Sequence, residues 1–371
     1  MTEKPQLSVR GLDKRFDSDF AVSNVDLTVG VDESVALLGP SGCGKTTILR
    51  CIAGVETPDA GEIRIAGDPV QGQGVSKSPE DRDVGMVYQN YAIWPHKTVY
   101  ENVVFPLKHG DHDLARSEYE TRVESVLEMV EIADLKHSPA TELSGGQQQR
   151  TALARSLVHD PPLLLMDEPL SNLDKGLRRN MRYELQRLQH ELGFSMLYVT
   201  HNQEEAFYLA DRVLLLRDGE VVERGPSREL YRRPASPFTR EFVGQRNRFG
   251  GIVERAEASE RVIDTPLGTI PFDNVDVVSN GTTAGSVVCF LPPGEVSIGQ
   301  FVSEGVDTLQ FGGTVVAEGI LDQRYEIRIR LAESDTELTI HTTSEQSYDP
   351  GDEISGYASP GAIQVYSDPE Q

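Results

Sequence analysis

The 371-residue chain predicts an α/β domain that opens on antiparallel strands and is followed by a smaller all-β domain. Two observations carry this. Short continuous apolar runs at residues 34–38, 163–166 and 196–200 alternate with helical periodicity, for example over residues 116–130 and 177–192, as buried parallel strands joined by helices require. After about Phe242 the helical pattern stops and short β-type runs punctuated by turns take over. The length suits one domain of ordinary size and a smaller second one, each with its own core.

Taken in order, the alternation in Gln6-Leu7-Ser8-Val9-Arg10 and over residues 21–29 marks half-exposed antiparallel strands. A helix is expected over residues 46–53 and another after residue 147. Periodicity breaks at a Gly-Gln-Arg-Asn stretch near Gly244, so the domains read as 1–242 and 243–371. Within the second, residues 287–291, 313–317, 325–331 and 337–341 are strand-like, with turns at Pro292-Pro293-Gly294 and Asp349-Pro350-Gly351-Asp352. That pattern suggests a small, OB-like β-barrel.

Composition excludes several classes. Hydrophobic residues make up 38% and charged residues 25%, the mix of a soluble folded protein. No apolar run approaches the roughly 20 residues of a membrane helix. The start, Met1-Thr2-Glu3-Lys4-Pro5, lacks the basic, apolar and small-residue blocks of a secretory leader, so a cytoplasmic protein is expected. Cys43, Cys51 and Cys289 have no metal-ligand spacing and read as small buried residues. Lys and Arg number 35 against 59 Asp and Glu, a formal net charge of −24, which argues against nucleic acid as a partner. No Lys follows Lys175. An acidic, lysine-poor surface suits very high salt, where screening relieves its self-repulsion.

Gly39-Pro40-Ser41-Gly42-Cys43-Gly44-Lys45-Thr46 lies between a predicted strand and a predicted helix, the context of a phosphate loop in P-loop NTPases. Its glycines let successive N–H groups wrap a phosphate. Lys45 reaches the β and γ oxygens of ATP, and the Thr46 hydroxyl can sit on Mg²⁺. Thr47, next along the helix, is counted among the nucleotide contacts. Asp167 and Glu168 end the apolar run Leu163-Leu164-Leu165-Met166. Asp167 can hold the metal through water, and Glu168 can orient or deprotonate an attacking water. These motifs leave motor, kinase and transporter classes open.

Leu143-Ser144-Gly145-Gly146-Gln147, followed by Gln148-Gln149-Arg150, resembles the signature of the ABC ATPases, and the resemblance extends over about the first 240 residues. It implies an antiparallel β subdomain, a helical subdomain at about residues 90–160 and a head-to-tail dimer, paired with itself or with another ABC ATPase. In that dimer ATP on the Lys45 loop of one chain is covered by Ser144 and Gly146 of the other. It also implies that Phe16 stacks on adenine, although a core aromatic is the alternative. Gln89 would link metal and attacking water to a membrane partner, and His201 would sense the γ-phosphate. Ser171-Asn172-Leu173-Asp174 would meet the dimer partner, with Asp174 near the nucleotide.

Residues 89–103 resemble importer ATPases that carry a C-terminal regulatory TOBE domain, and residues 245–366 resemble that domain in size, position and strand pattern. Leu291-Pro292-Pro293-Gly294-Glu295-Val296 stands where Arg-Pro-Glu is usual. Tyr91, Trp94 and Phe105 either line the groove for a membrane subunit or pack internally. The resemblance implies two transmembrane permease subunits, an external solute-binding protein and a place at the cytoplasmic face of the membrane. Residues 242–249 look more like the linker of ferric iron, polyamine and thiamine importers than that of sugar importers, with oxyanion importers a further alternative. A soluble ABC ATPase of translation or DNA repair, an exporter subunit and a nucleotide-binding regulator are the competing classes.

The acidic composition predicts that thermal stability and activity rise from dilute buffer to molar KCl; equal values in both, measured by melting curves and turnover, would refute salt adaptation.

Overall fold

The computed structural model describes residues 4–16, 19–110, 114–255, 260–278, 284–299, 308–321 and 324–368, and every structural statement below concerns these. Met1–Glu3, part of the leader reading, lie outside them. The chain divides into two compact units, Met1–Leu230 and Tyr231–Gln371.

In the first unit the strand Ser34–Leu38 is buried at every position, as are Leu163–Asp167 and Ser195–Thr200. Fully buried strands demand helices on both faces, which explains their continuous apolar sequence. They form the middle of a six-stranded sheet ordered Glu220–Pro226, Arg212–Arg217, Ser34–Leu38, Ser195–Thr200, Leu163–Asp167, Val84–Val87. Only the Arg212–Arg217/Glu220–Pro226 pair is antiparallel. A second, antiparallel sheet of five strands runs Asp19–Val29, Leu7–Phe16, Ala60–Ile65, Asp68–Gly72, Val75–Ser76. The helix Lys45–Ala53 lies between the sheets, sharing a core of Leu7, Val22, Ile48, Ile52, Leu165 and Val199.

The helical part contains Val99–Val103, Phe105–His109, Tyr119–Met129 and Gly145–Leu157. Thr98 caps the first of these in a reciprocal bond with Glu101, so its start is legible from the Thr-x-x-Glu spacing. Residues 116–118 form a 3₁₀ turn ahead of Tyr119–Met129. The helix Lys175–Leu192 begins at Asp174, whose side chain accepts from Leu177 N–H, and ends at Gly193 with φ 64°. Its buried face of Met181, Leu185 and Leu188 joins Val103, Leu127 and Ala152 in one core. None of the described helices is long and apolar enough to cross a membrane.

The second unit holds two sheets around one core. Six strands run Gly268–Pro271, Arg261–Thr265, Asn247–Arg255, Gly285–Leu291, Gln364–Ser367, Asp276–Val277, and five run Val296–Ile298, Glu353–Ala358, Leu309–Leu321, Arg324–Leu331, Glu337–Thr342. Val287, Cys289, Ile327, Ile329, Ile340 and Val365 belong to that core. The short helix Pro237–Phe242 belongs here as well. Its Arg240, 1% exposed, donates to the carbonyls of Tyr231, Arg232 and Val243 and to Gln364 Oε1 at 2.9–3.0 Å. Helical periodicity, which ends at Phe242, therefore does not mark the divide between the units. Cys43, Cys51 and Cys289 are buried free thiols; burial pushes Cys51 up to about 11 and Cys289 up to about 12.

Ile340 is fully buried in the core shared by the two sheets, so Ile340→Ala should cost about 2–5 kcal/mol in denaturant titrations; a cost under about 1 kcal/mol would mean that the sheets do not share a well-packed core.

Candidate functional site

The parallel ladder delivers the site residues to one edge. Leu38 pairs with Thr200, and Asp167 with Val199, so Gly39, Glu168 and His201 all leave the sheet at its carboxyl end. Open α/β sheets bind ligands at that end.

The strand Ser34–Leu38 turns at once into the glycine-rich loop. Gly42 and Gly44 have φ of 82° and 101°, a region that disfavours side chains. A Cβ on Gly44 would overlap the Ala21 carbonyl oxygen, whereas a Cβ on Gly42 would meet nothing within 4 Å. Pro40, Ser41 and Gly42 are exposed, and Gly39 and Cys43 are buried. Gly44 caps the helix Lys45–Ala53, whose first turn carries no acidic residue. Lys45 is 5% exposed. Its ammonium donates to the carbonyls of Gly39 at 2.8 Å and Pro40 at 2.9 Å, with Cys43 Sγ at 3.8 Å. The charge is thus held inside the loop that should wrap the phosphates. Thr46 and Thr47 are half-buried on the same helix.

Thr46 Oγ1 donates to Asp167 Oδ1 at 2.9 Å. Burial raises the Asp167 carboxyl above its usual range, and the Thr46 bond opposes that rise. Glu168 follows with φ 44°, an uncommon value for a side-chain-bearing residue. Its N–H donates to Val199 O at 2.9 Å, and Glu168 Oε1 lies 2.9 Å from His201 Nδ1. The Ser171 hydroxyl donates to Glu168 O at 2.9 Å and accepts from Gln89 Nε2 at 3.2 Å, and Asn172 Nδ2 donates to Gln89 O at 2.9 Å. Gln89, Asp167, Glu168 and His201 therefore belong to one linked group with the loop after Glu168.

Ser144, Gly145, Gly146 and Gln147 stand apart from this group, at the start of the helix Gly145–Leu157. Ser144 Oγ accepts from Gln147 N–H while Gln147 Oε1 accepts from Ser144 N–H. Ser144 and Gly145 are exposed, leaving a helix N-terminus open to an anion. Asp174 is exposed and caps its helix. Phe16 is 46% exposed, with Lys14 Nζ 5.0 Å from its ring centroid. It is no core aromatic: close to half of it faces solvent, and Lys14 lies over its ring. Tyr91 is 5% exposed and packs in the helical core, whereas Trp94 and Phe105 are half-buried with centroids 4.3 Å apart.

Sequence reasoning missed the groups that brace these segments. Arg155 donates to the carbonyls of Tyr91 and Ala92 at 2.8 and 2.7 Å, with its guanidinium carbon 5.1 Å from the Trp94 ring centroid. It clamps two residues with φ of 60° and 48° just beyond Gln89. Arg178 binds the carbonyls of the loop after Glu168, and Glu205 is buried behind His201. No sequence signal separates an Arg or Glu that bonds internally from one that faces water. The residues present fit a nucleotide and Mg²⁺: a loop in which a Cβ on Gly39 or Gly44 would strike neighbouring backbone, an internal ammonium, and the oxygen donors of Thr46 and Asp167 suited to a hard cation.

A family model described as ABC transporter matches residues 22–171. The chain is 45% identical over 256 residues to the spermidine/putrescine import ATP-binding protein PotA of Marinobacter nauticus, covering 69% of this chain and 67% of that protein. It is 41% identical over 314 residues to PotA 2 of Pseudomonas aeruginosa, covering 84% of each. With the Fe(3+) ions import ATP-binding protein FbpC of Escherichia coli O157:H7 it shares 44% identity over 71% of this chain and 73% of that one. Among solved structures it is similar to MJ0796, described as a bacterial ABC transporter cassette, in its dimeric form, with TM-score 0.53 and 30% identity over 60% of this chain and 98% of the other. A post-hydrolysis state of MJ0796 bound to ADP and Pi matches with TM-score 0.52 and 29% identity, over the same shares.

Gly44→Ala should cost about 1–3 kcal/mol and weaken nucleotide binding at least about tenfold; a variant of wild-type melting point and affinity would show that the loop does not need its left-handed residue.

Proposed function

The chain belongs to the ABC transporter family, and on that premise we propose that it is the ATP-hydrolysing subunit of an import complex that takes up a polyamine or ferric iron. The observation that carries the reading is the convergence of Lys45, Thr46 and Asp167 with Glu168 and His201 at one sheet edge. The relatives named for spermidine/putrescine and Fe(3+) import support the solute classes, and the linker at residues 242–249 agrees with them.

In this reading Phe16 stacks on the adenine. The N–H groups of residues 39–47 and the Lys45 ammonium bind the phosphates, so Lys45 exchanges the carbonyls of Gly39 and Pro40 for phosphate oxygens. Thr46 and Asp167, with Gln89, hold Mg²⁺, which supplies charge neutralisation at the phosphates when bound. Glu168 accepts the proton of the attacking water on its carboxylate, and His201, 2.9 Å away, holds that carboxylate in place. Ser144, Gly145, Gly146 and Gln147 of a second chain cover the nucleotide, with Asp174 and its loop at the dimer contact. ATP then closes the dimer because its γ-phosphate contacts exist only in the closed state.

The unit Met1–Leu230 serves as the ATPase domain and the unit Tyr231–Gln371 as a TOBE-like regulatory domain. The complex adds two transmembrane permeases and an external solute-binding protein, and the ATPase sits at the cytoplasmic face of the membrane. Its surface suits a salt-rich cytoplasm.

Glu168→Gln should retain ATP binding while Mg²⁺-dependent turnover falls by about 10²–10⁴, and uptake of labelled spermidine or ferric iron should stop in cells that carry only this variant. Brisk turnover by the variant would remove Glu168 as the base; loss of uptake of neither solute would remove the import reading.

A further inference from the structure

Behind the site, the hydrogen bonds converge on two side chains that the reading above leaves without a role. Glu205, on the helix Gln203–Leu209, is 3% exposed. Its Oε2 accepts from the Tyr198 hydroxyl at 3.0 Å and the Thr200 hydroxyl at 2.8 Å. Burial, reinforced by Glu205, pushes the Tyr198 hydroxyl well above its ordinary range, so that group is a permanent donor. Thr200 Oγ1 accepts from Asn202 N–H at 2.9 Å, and Glu205 N–H donates to Asn202 Oδ1 at 3.3 Å. The residues on either side of His201 are thereby bonded into a network around one buried carboxylate.

The other carboxylate oxygen, Oε1, lies 3.9 Å from Arg178 Nε. Arg178 donates from Nε to Leu170 O at 3.2 Å, and from one terminal nitrogen to Ser171 O at 3.1 Å and Leu173 O at 2.9 Å. Three carbonyls of the loop after Glu168 are thus gathered on one guanidinium, whose planar fork makes such multiple bonding specific. From the same loop, Ser171 bonds both Glu168 O and Gln89 Nε2. One chain of contacts therefore runs from the His201 turn through Glu205 and Arg178 to the loop that touches Glu168 and Gln89.

We propose that Glu205 and Arg178 are positioning residues for hydrolysis. Glu205 acts through Thr200 and Asn202 on His201, and Arg178 acts through the carbonyls of residues 170–173 on Ser171, so the two segments that flank Glu168 are held in register with each other. Neither side chain touches the nucleotide. Their loss misplaces groups that matter at the moment of bond cleavage and leaves the Lys45 loop intact, so kcat and not KM carries the effect. The kinetic part rests on the ATPase reading above.

The test uses the full chain with Glu205→Ala and Glu205→Gln. Gln keeps an acceptor oxygen for Tyr198 and Thr200, whereas Ala leaves both hydroxyls without one. Glu205→Ala should lower kcat by roughly 10- to 100-fold with KM changed less than about threefold, and Glu205→Gln should recover most of the loss. Hydrogen–deuterium exchange read without nucleotide should show the amides of residues 170–174 and 200–202 opening at least about tenfold more often in Glu205→Ala, while the amides of residues 45–53 stay as in wild type. Unchanged kcat, an equal rise in KM, a Gln variant no better than Ala, or unchanged exchange at both segments would each overturn the proposal. A wild-type chain without ATPase activity would instead remove the ATPase reading, and the exchange measurement would still decide whether Glu205 holds the two segments.

Discussion

The register of the parallel ladder is the constraint on which the rest of this molecule depends. Leu37 pairs with Val199, which in turn pairs with Asp167 across the next strand. The three strands are buried at every residue, so their alignment is held by apolar packing on both faces as well as by hydrogen bonds. A slip of one residue would turn each strand's side chains to the opposite face. It would also move Glu168 away from Val199 O and Thr46 away from Asp167. The phosphate loop, the acidic pair and His201 meet because three strands end at a common level.

What lies beyond that level is a set of conformations and charges that the ladder itself could not tolerate. Glu168 adopts a positive φ immediately after its strand, pinned by its own N–H to Val199 O. Lys45 carries its charge among loop carbonyls, and Asp167 carries a carboxyl whose burial disfavours ionisation. Such arrangements persist only when the surroundings over-determine them. Here the surroundings are a set of braces: Arg155 on the turn after Gln89, and Arg178 and Glu205 on the segments either side of Glu168. Guanidinium groups suit this work because each can bond several carbonyl oxygens at once.

The second unit follows the same economy with different parts. Its alternating strands place one face into a shared core and the other toward water, the pattern seen in Asn247–Arg255. Sheet order, however, brings together strands far apart in the chain: Glu353–Ala358 lies between Val296–Ile298 and Leu309–Leu321. Arg240 and Gln364, 124 residues apart, are joined the same way. Alternation makes a β-rich unit necessary without saying which strands pair.

The amino-acid sequence by itself determined whatever depends on neighbours within a few residues. The phosphate loop, the Asp167-Glu168 strand end, the reciprocal Ser144/Gln147 cap and the buried character of the central strands are local patterns, because caps, tight turns and burial periodicity are set at short range. Tertiary structure alone decided the long-range assignments. Thr46 meets Asp167 across 121 residues and Gln89 meets Ser171 across 82. Phe16 emerged as an exposed ring and Tyr91 as a buried one, although both are aromatic residues next to polar segments. Arg155, Arg178 and Glu205 look in sequence like any charged helix positions, and became braces only where the packing of distant elements brought carbonyls and hydroxyls within their reach.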